Sequence, residues 1–176
     1  MYLKMAMSSS LNSMFSMYRI GFAKDIHRLV ANKKLMLAGI HIPFIKGEEA
    51  HSDGDVVIHA LSEAMLGALS LGDLGKHFPT NDKRYENIES SKILLAVNMM
   101  VKEKGFHIVN ADISIEIEKP KLSQYIIKMR KRLADLLKIN IEQISIKANT
   151  NEGLGDIGNG KAVIAYAIVL LEKVLK

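Results

Sequence analysis

Cysteine is absent from the 176 residues, which excludes disulfides, thiolate nucleophiles and cysteine-based zinc sites. Any metal this chain holds must therefore be bound by imidazole and oxygen. No segment has the length and flanks of a membrane span, and the continuous apolar core of a secretory signal is missing. The glycines match neither the P-loop nor the dinucleotide-binding fingerprint. Aromatic residues make up only 6% of the chain. None is interleaved with the basic run Lys128-Met129-Arg130-Lys131-Arg132, so that run reads as a solvated helix face rather than a nucleic-acid patch. Internal repeats and linkers are missing as well, so a single domain is expected.

What is present fits an ordinary globule: 48% hydrophobic residues, mixed charges and enough chain for an independent core. The formal net charge of +5 favours acidic partners, among them nucleic acid, a lipid surface or a phosphorylated small molecule. Residues 1–17 stand apart, rich in Met and Ser with one Lys and no acid. They read as a flexible extension preceding a domain over residues 18–176, with Met17 as the functional start.

From Tyr18 onward strand and helix signals alternate. Tyr18 to Leu29 reads as a strand, with Leu35 to Pro43 as its antiparallel neighbour. A polar loop follows, then a strongly apolar helix from Asp55 to Leu71 with Gly72 as its stop. Ser90 or Ser91 is expected to cap a second helix that ends at Gly105. Phe106 to Glu118 alternates with the period of a half-buried strand, and Ser123 to Lys138 is an amphipathic helix. Ile144 to Lys147 reads as a strand; Ala162 to Leu171 fits a buried strand, with a helix left open. The expected class is α+β.

Two constellations carry chemistry. Asp25 and His27, spaced i, i+2, share one face of an extended strand. His59 lies one helical turn after Asp55, itself a good N-cap. One carboxylate and two imidazoles suit a divalent transition metal, zinc above all, with a fourth position open to a substrate oxygen. The plainer alternative is a solvated stripe of Asp55, His59, Ser62 and Glu63 on the helix. His51 belongs to the same neighbourhood by proximity, whereas His41, His77 and His107 read as surface histidines. Nearer the C-terminus, Lys147 to Glu152 followed by Gly153, Gly155, Gly158 and Gly160 suits a phosphate site with backbone N–H donors and a metal-binding acid. A glycine-rich turn between strands is the competing reading.

The order of these motifs closely resembles the 2-C-methyl-D-erythritol 2,4-cyclodiphosphate synthase family. The match runs through Arg19-Ile20-Gly21, Asp25-Ile26-His27, His51-Ser52-Asp53-Gly54-Asp55, His59-Ala60, Gly72-Asp73-Leu74-Gly75, Phe78-Pro79, Pro120-Lys121-Leu122 and Lys147…Thr150…Glu152. The resemblance implies a mixed sheet with helices on one face, assembled as a homotrimer around the sheets with active sites between subunits. It also implies a cytoplasmic lyase of the non-mevalonate isoprenoid pathway, acting on a small cytidine diphosphate substrate and engaging neither nucleic acid nor membrane. The 2-phosphate of 4-diphosphocytidyl-2-C-methyl-D-erythritol 2-phosphate attacks the β-phosphorus and expels CMP. By the resemblance Asp25, His27 and His59 hold Zn2+, and Glu152 helps hold Mg2+ or Mn2+. His51 and Thr150 match the family's transition-state stabilisers, with Ser52 in the same loop. Asp73, Leu74, Gly75, Phe78, Pro79 and Asp82 match the segments around the methylerythritol phosphate. Lys119, Pro120, Lys121 and Leu122 match the cytidine pocket, and Lys147, Asn149, Thr150 and Glu152 the phosphate strand. A different zinc-dependent phosphate-transfer enzyme or phosphohydrolase is the alternative function.

The chain departs from the family at Phe22-Ala23-Lys24, where His-Gly-Phe is common, and over residues 153–161. The aromatic and arginine that line a trimer-axis cavity in the family are replaced by Asp156 and Asn159. Lys24 and Lys161 are expected to supply positive charge there instead.

Overall fold

The computed structural model describes residues 17–50, 52–85 and 87–175. The backbone begins in a long strand, β1 (Tyr18–Ala31), and returns through β2 (Leu35–Leu37), β3 (Ile40–Ile42) and β4 (Lys46–Glu48). Helix α1 (Val56–Ala68) is followed by the single turn α2 (Leu74–His77) and by α3 (Ser90–Glu103). Then come β5 (Phe106–Glu116), α4 (Ile126–Leu137), β6 (Ile144–Asn149), the one-turn α5 (Gly155–Gly158) and β7 (Ala162–Lys173). Met17 lies outside β1 but adds one bond to the end of its ladder with β7, its carbonyl accepting from Lys173 N at 2.7 Å.

Five strands form one mixed sheet in the order β4-β1-β7-β5-β6. β1 runs antiparallel to β7 from Tyr18↔Glu172 to Arg28↔Ala162, and β5 runs parallel to β6. Alternation decides the two faces. Gly21, Leu29, Val163, Ala165, Ala167, Val169 and Leu171 are buried under the helices. Ile58, Leu61, Met65 and Leu66 of α1, Leu94 of α3, and Met129 and Leu133 of α4 complete that core and are fully buried. Each such side chain contributes about 1.5–3 kcal/mol of hydrophobic stabilisation. The opposite face of β1 and β7 carries Tyr18, Ile20, Phe22, Ile26, Tyr166 and Ile168, with Ile20 71% and Phe22 64% exposed. The rings of Phe22 and Tyr166 stack there with centroids 6.5 Å apart.

Three expectations need correction. Leu35 to Pro43 is not the neighbour of β1; it folds on itself as the β2–β3 hairpin, and β1 pairs with β4 and β7. The hairpin turns on Ala38 (φ 54°) and Gly39 (φ 74°), the left-handed pair that a tight two-residue turn needs. Ala38 tolerates this because its N–H and that of Gly39 both donate to the Asp55 carboxylate, at 2.9 and 2.5 Å. Helix α1 ends at Ala68, with Leu69 as its C-cap, rather than running to Leu71. Helix α3 is capped by neither serine: its N-cap, Glu89, makes no side-chain bond, and Asp53 from another loop accepts from Ser90 N at 3.1 Å.

Candidate metal centre and phosphate site

Register places Asp25 opposite Ala165 and His27 opposite Val163, both on the sheet face that meets α1. Asp55 caps α1, accepting from Ile58 N at 3.0 Å, and is fully buried. Ser62 is also fully buried, so the solvated stripe does not form. One turn into α1, His59 leans back over β1. Its Nδ1 lies 3.2 Å from Asp25 Oδ2, and His27 Nε2 lies 3.1 Å from the same oxygen. Among the described residues these three form a group with ligand atoms all within 4.8 Å of one another. One carboxylate oxygen and two imidazole nitrogens on a half-buried shelf fit a divalent metal ion.

Each imidazole is braced from behind. His27 Nδ1–H donates to the Gly54 carbonyl at 2.7 Å, which leaves Nε2 to face Asp25. Glu48 Oε2 stands 3.4 Å from the same Nδ1 and accepts from Val56 N at 3.2 Å. His59 Nε2 faces the hydroxyls of Ser90 at 3.0 Å and Ser52 at 3.3 Å. Sequence reasoning missed Glu48, Asp53 and Ser90 as parts of the site.

The electrostatics reflect a pocket of paired charges. Burial pushes Asp25 up, but hydrogen bonds and charge from His27 and His59 outweigh it and hold its carboxyl well below the usual range. Burial pushes His27 down, yet Asp25 and Glu48 together raise it to about 10. Glu48 is raised to about 8, chiefly by burial and then by the charge of Asp55, against the opposing pull of His27. Asp55 is raised to about 6 by burial, partly offset by its three backbone donors.

A cavity of about 570 Å³ opens at Asp25, His27 and His59. Lys24, Asp25, His27, Ser52, His59, Leu74, Gly75, Phe78, Lys83 and Tyr85 are among the residues that line it. Of the other residues expected around the methylerythritol phosphate, Asp73 caps α2 through Lys76 N at 2.8 Å. Asp82 accepts a bidentate contact from Arg84, and neither Asp82 nor Pro79 lines the cavity. His51 lies outside the described residues.

The second constellation lies elsewhere. Pro120, Lys121, Leu122, Asn149 and Thr150 line a separate cavity of about 480 Å³ that shares no residue with the first. Thr150 Oγ1 donates to Glu152 Oε1 at 2.7 Å, and Lys147 Nζ donates to Asp112 Oδ2. Lys119 precedes Pro120 through a cis peptide bond. Lys161 Nζ stands 3.5 Å from Asp156 Oδ1, and Lys24 faces the metal cavity. The single chain thus holds the Asp25–His27–His59 group and the Thr150 group in two separate cavities.

Comparison with known proteins gives this division a context. The model of the YgbB family matches residues 18–172. The 2-C-methyl-D-erythritol 2,4-cyclodiphosphate synthase of Treponema denticola is 51% identical over 153 residues, 87% of this chain and 95% of the relative. That of Fusobacterium nucleatum is 48% identical over 157 residues, 89% of this chain and 98% of the relative. Among solved structures, the CDP complex of Plasmodium falciparum IspF superposes with a TM-score of 0.80 at 34% identity, covering 90% of this chain and 97% of that one. With the family model spanning nearly all described residues and relatives of this identity matched almost end to end, the chain belongs to the YgbB family, that of the 2-C-methyl-D-erythritol 2,4-cyclodiphosphate synthases.

Proposed function

We propose that this chain converts 4-diphosphocytidyl-2-C-methyl-D-erythritol 2-phosphate to 2-C-methyl-D-erythritol 2,4-cyclodiphosphate and CMP. An oxygen of the 2-phosphate forms a bond to the β-phosphorus. The bond from that phosphorus to the oxygen bridging it to the α-phosphate breaks, and CMP leaves with the bridging oxygen. No water is consumed and no enzyme nucleophile is needed, so the protein positions the groups and neutralises charge. The observation that carries this reading is the convergence of Asp25, His27 and His59 on one point in a cavity that Lys24 and Lys83 also line.

Asp25, His27 and His59 would hold zinc, and Glu152 would help hold magnesium or manganese. Zinc bound there supplies Lewis-acid polarisation of the diphosphate and a fixed point for its orientation. Gly54 O and Glu48 hold the His27 ring in place, and Leu74 and Phe78 wall the cavity against water. His51 and Thr150 would donate hydrogen bonds to the transferring phosphoryl group. Thr150 must then exchange its bond to Glu152 for one to substrate. Lys119, Pro120, Lys121 and Leu122 would receive the cytidine.

The separate cavities favour a site completed across subunits, the metal side of one chain meeting the Thr150 side of the next. The apolar outer face of β1 and β7 supports a homotrimer with its sheets turned inward. Incubating the purified protein with the cytidyl substrate and following phosphorus NMR tests the reading. Cyclic diphosphate plus CMP is expected; inorganic phosphate, or unchanged substrate in the presence of zinc and magnesium, would refute it.

A further inference from the structure

Ser90 is fully buried at the start of α3, where a serine is ordinarily a solvent-facing cap. Its hydroxyl instead touches two side chains from distant parts of the sequence. One contact is with Asp53 Oδ1 at 2.5 Å, the other with His59 Nε2 at 3.0 Å. A serine hydroxyl owns one proton. The carboxylate of Asp53 can only accept, so the short contact commits that proton to Asp53. The lone pairs left on Oγ then require a donor, and the donor facing them is Nε2–H of His59.

Asp53 is itself fixed. It accepts from Ser90 N through the same Oδ1, and its own N–H donates to Ile88 O at 3.2 Å. Ser52 is the nearest competitor for Nε2, at 3.3 Å, and its Oγ already accepts from Gly54 N at 3.0 Å. Ser52 lacks a carboxylate to take its proton, so Ser90 has the shorter and better-determined contact.

We infer that Ser90, oriented by Asp53, is a positioning residue for the metal centre: it accepts the Nε2–H of His59 and keeps Nδ1 turned toward Asp25 and the metal. The chain Asp53–Ser90–His59 does for the helix-borne imidazole what Gly54 O does for His27. An imidazole whose outer nitrogen is anchored to an acceptor is a better-aimed and more basic ligand. The inference rests on the metal site proposed above and adds a residue that touches neither metal nor substrate.

The test uses the full chain as wild type, Ser90→Ala and Ser90→Thr. Zinc affinity is measured by competition with a chromophoric chelator, and the zinc-loaded proteins are examined by 15N-histidine NMR. In wild type, a slowly exchanging Nε2–H proton on His59 is expected, with zinc on Nδ1. Ser90→Ala, which keeps the backbone bond to Asp53, is expected to bind zinc at least about tenfold more weakly and to lose the slow exchange. Ser90→Thr, with the hydroxyl restored, is expected to recover most of both. Equal zinc affinity in wild type and Ser90→Ala would overturn the inference, as would equal losses in the two folded variants, which would assign the effect to packing. Wild-type protein that takes up no zinc would refute the metal site itself, and this inference with it.

Discussion

Gly21→Ala is the smallest change that should pull the metal centre apart from a distance. Gly21 lies on β1 against α1, and an added Cβ there would stand 1.9 Å from the Ala64 carbonyl oxygen. It would also stand 2.8 Å from Ala64 C and 2.9 Å from Ala68 N, so its three nearest clashes are all with helix backbone, which cannot swing aside as a side chain can. Non-bonded heavy atoms settle near 3.5 Å, so α1 must retreat from β1 by roughly 1.5 Å. Overpacking of this kind costs about 1–3 kcal/mol, and a backbone clash belongs at or above the top of that range. The two elements being forced apart carry Asp25 and His27 on one side and His59 on the other, now held at 3.2 Å. Zinc affinity should therefore fall by at least about tenfold, in keeping with a loss of well over 1.4 kcal/mol. Urea unfolding in EDTA and zinc competition with a chelator measure the two effects. Gly67→Ala is the control: nothing lies within 4 Å of its added Cβ. Inside α1 that change should stabilise by about 0.5–1 kcal/mol. A Gly21→Ala protein within about 0.5 kcal/mol of wild type that binds zinc normally would refute the close-approach argument.

The remaining expectations are read in solution. His59→Ala should bring bound zinc by elemental analysis down to background; a full complement of zinc would contradict the assignment of this ligand. Metal-free protein should lose stability steadily as pH rises from about 4.5 to 10. Glu48 and His27 are raised to about 8 and about 10, so the folded state holds protons that the unfolded chain releases earlier. The Glu48 share is present below pH 4.5 and lost through pH 8; the His27 share is present below pH 6.5 and lost through pH 10. Glu48→Gln should make the slope below pH 8 shallower, leaving the share of Asp55, which burial raises to about 6, and a flat profile in wild type by denaturant midpoint would contradict these shifts. Asp55→Ala strands the N–H groups of Ala38, Gly39 and Ile58 and should cost about 3 kcal/mol in urea unfolding. A loss below about 1 kcal/mol would mean those donors find other partners.

The grouping of Asp25, His27 and His59 was legible because each rests on short-range periodicity: two residues apart on a strand, and one turn past an N-cap on a helix. The long strands and the helices were legible for the same reason. The β2–β3 hairpin was not, because its turn places an alanine at positive φ, held by bonds to the distant Asp55 carboxylate. Ser90 was legible as a helix start but not as a partner of His59, since the contact joins two helices across 31 residues with no pattern between them. Glu48 looked like one more polar loop residue, and its burial depends on β4 docking beside β1. The separation of Thr150 from the metal ligands is a property of the folded surface, which no local spacing encodes.

The pairing of β1 with β7 has a kinetic side. Asp25 and His27 sit on the first strand, and its partner over eleven register pairs is the last. During synthesis β1 cannot complete its ladder until β7 has emerged. Until then its apolar side chains Tyr18, Ile20, Phe22 and Ile26 wait beside an open edge. Such high contact order slows folding and lengthens exposure to aggregation. The shelf of Asp25, His27 and His59 is therefore complete only once β7 has joined β1, so a metal ion taken up there would act on a finished sheet as a lock rather than on a nascent chain as a template.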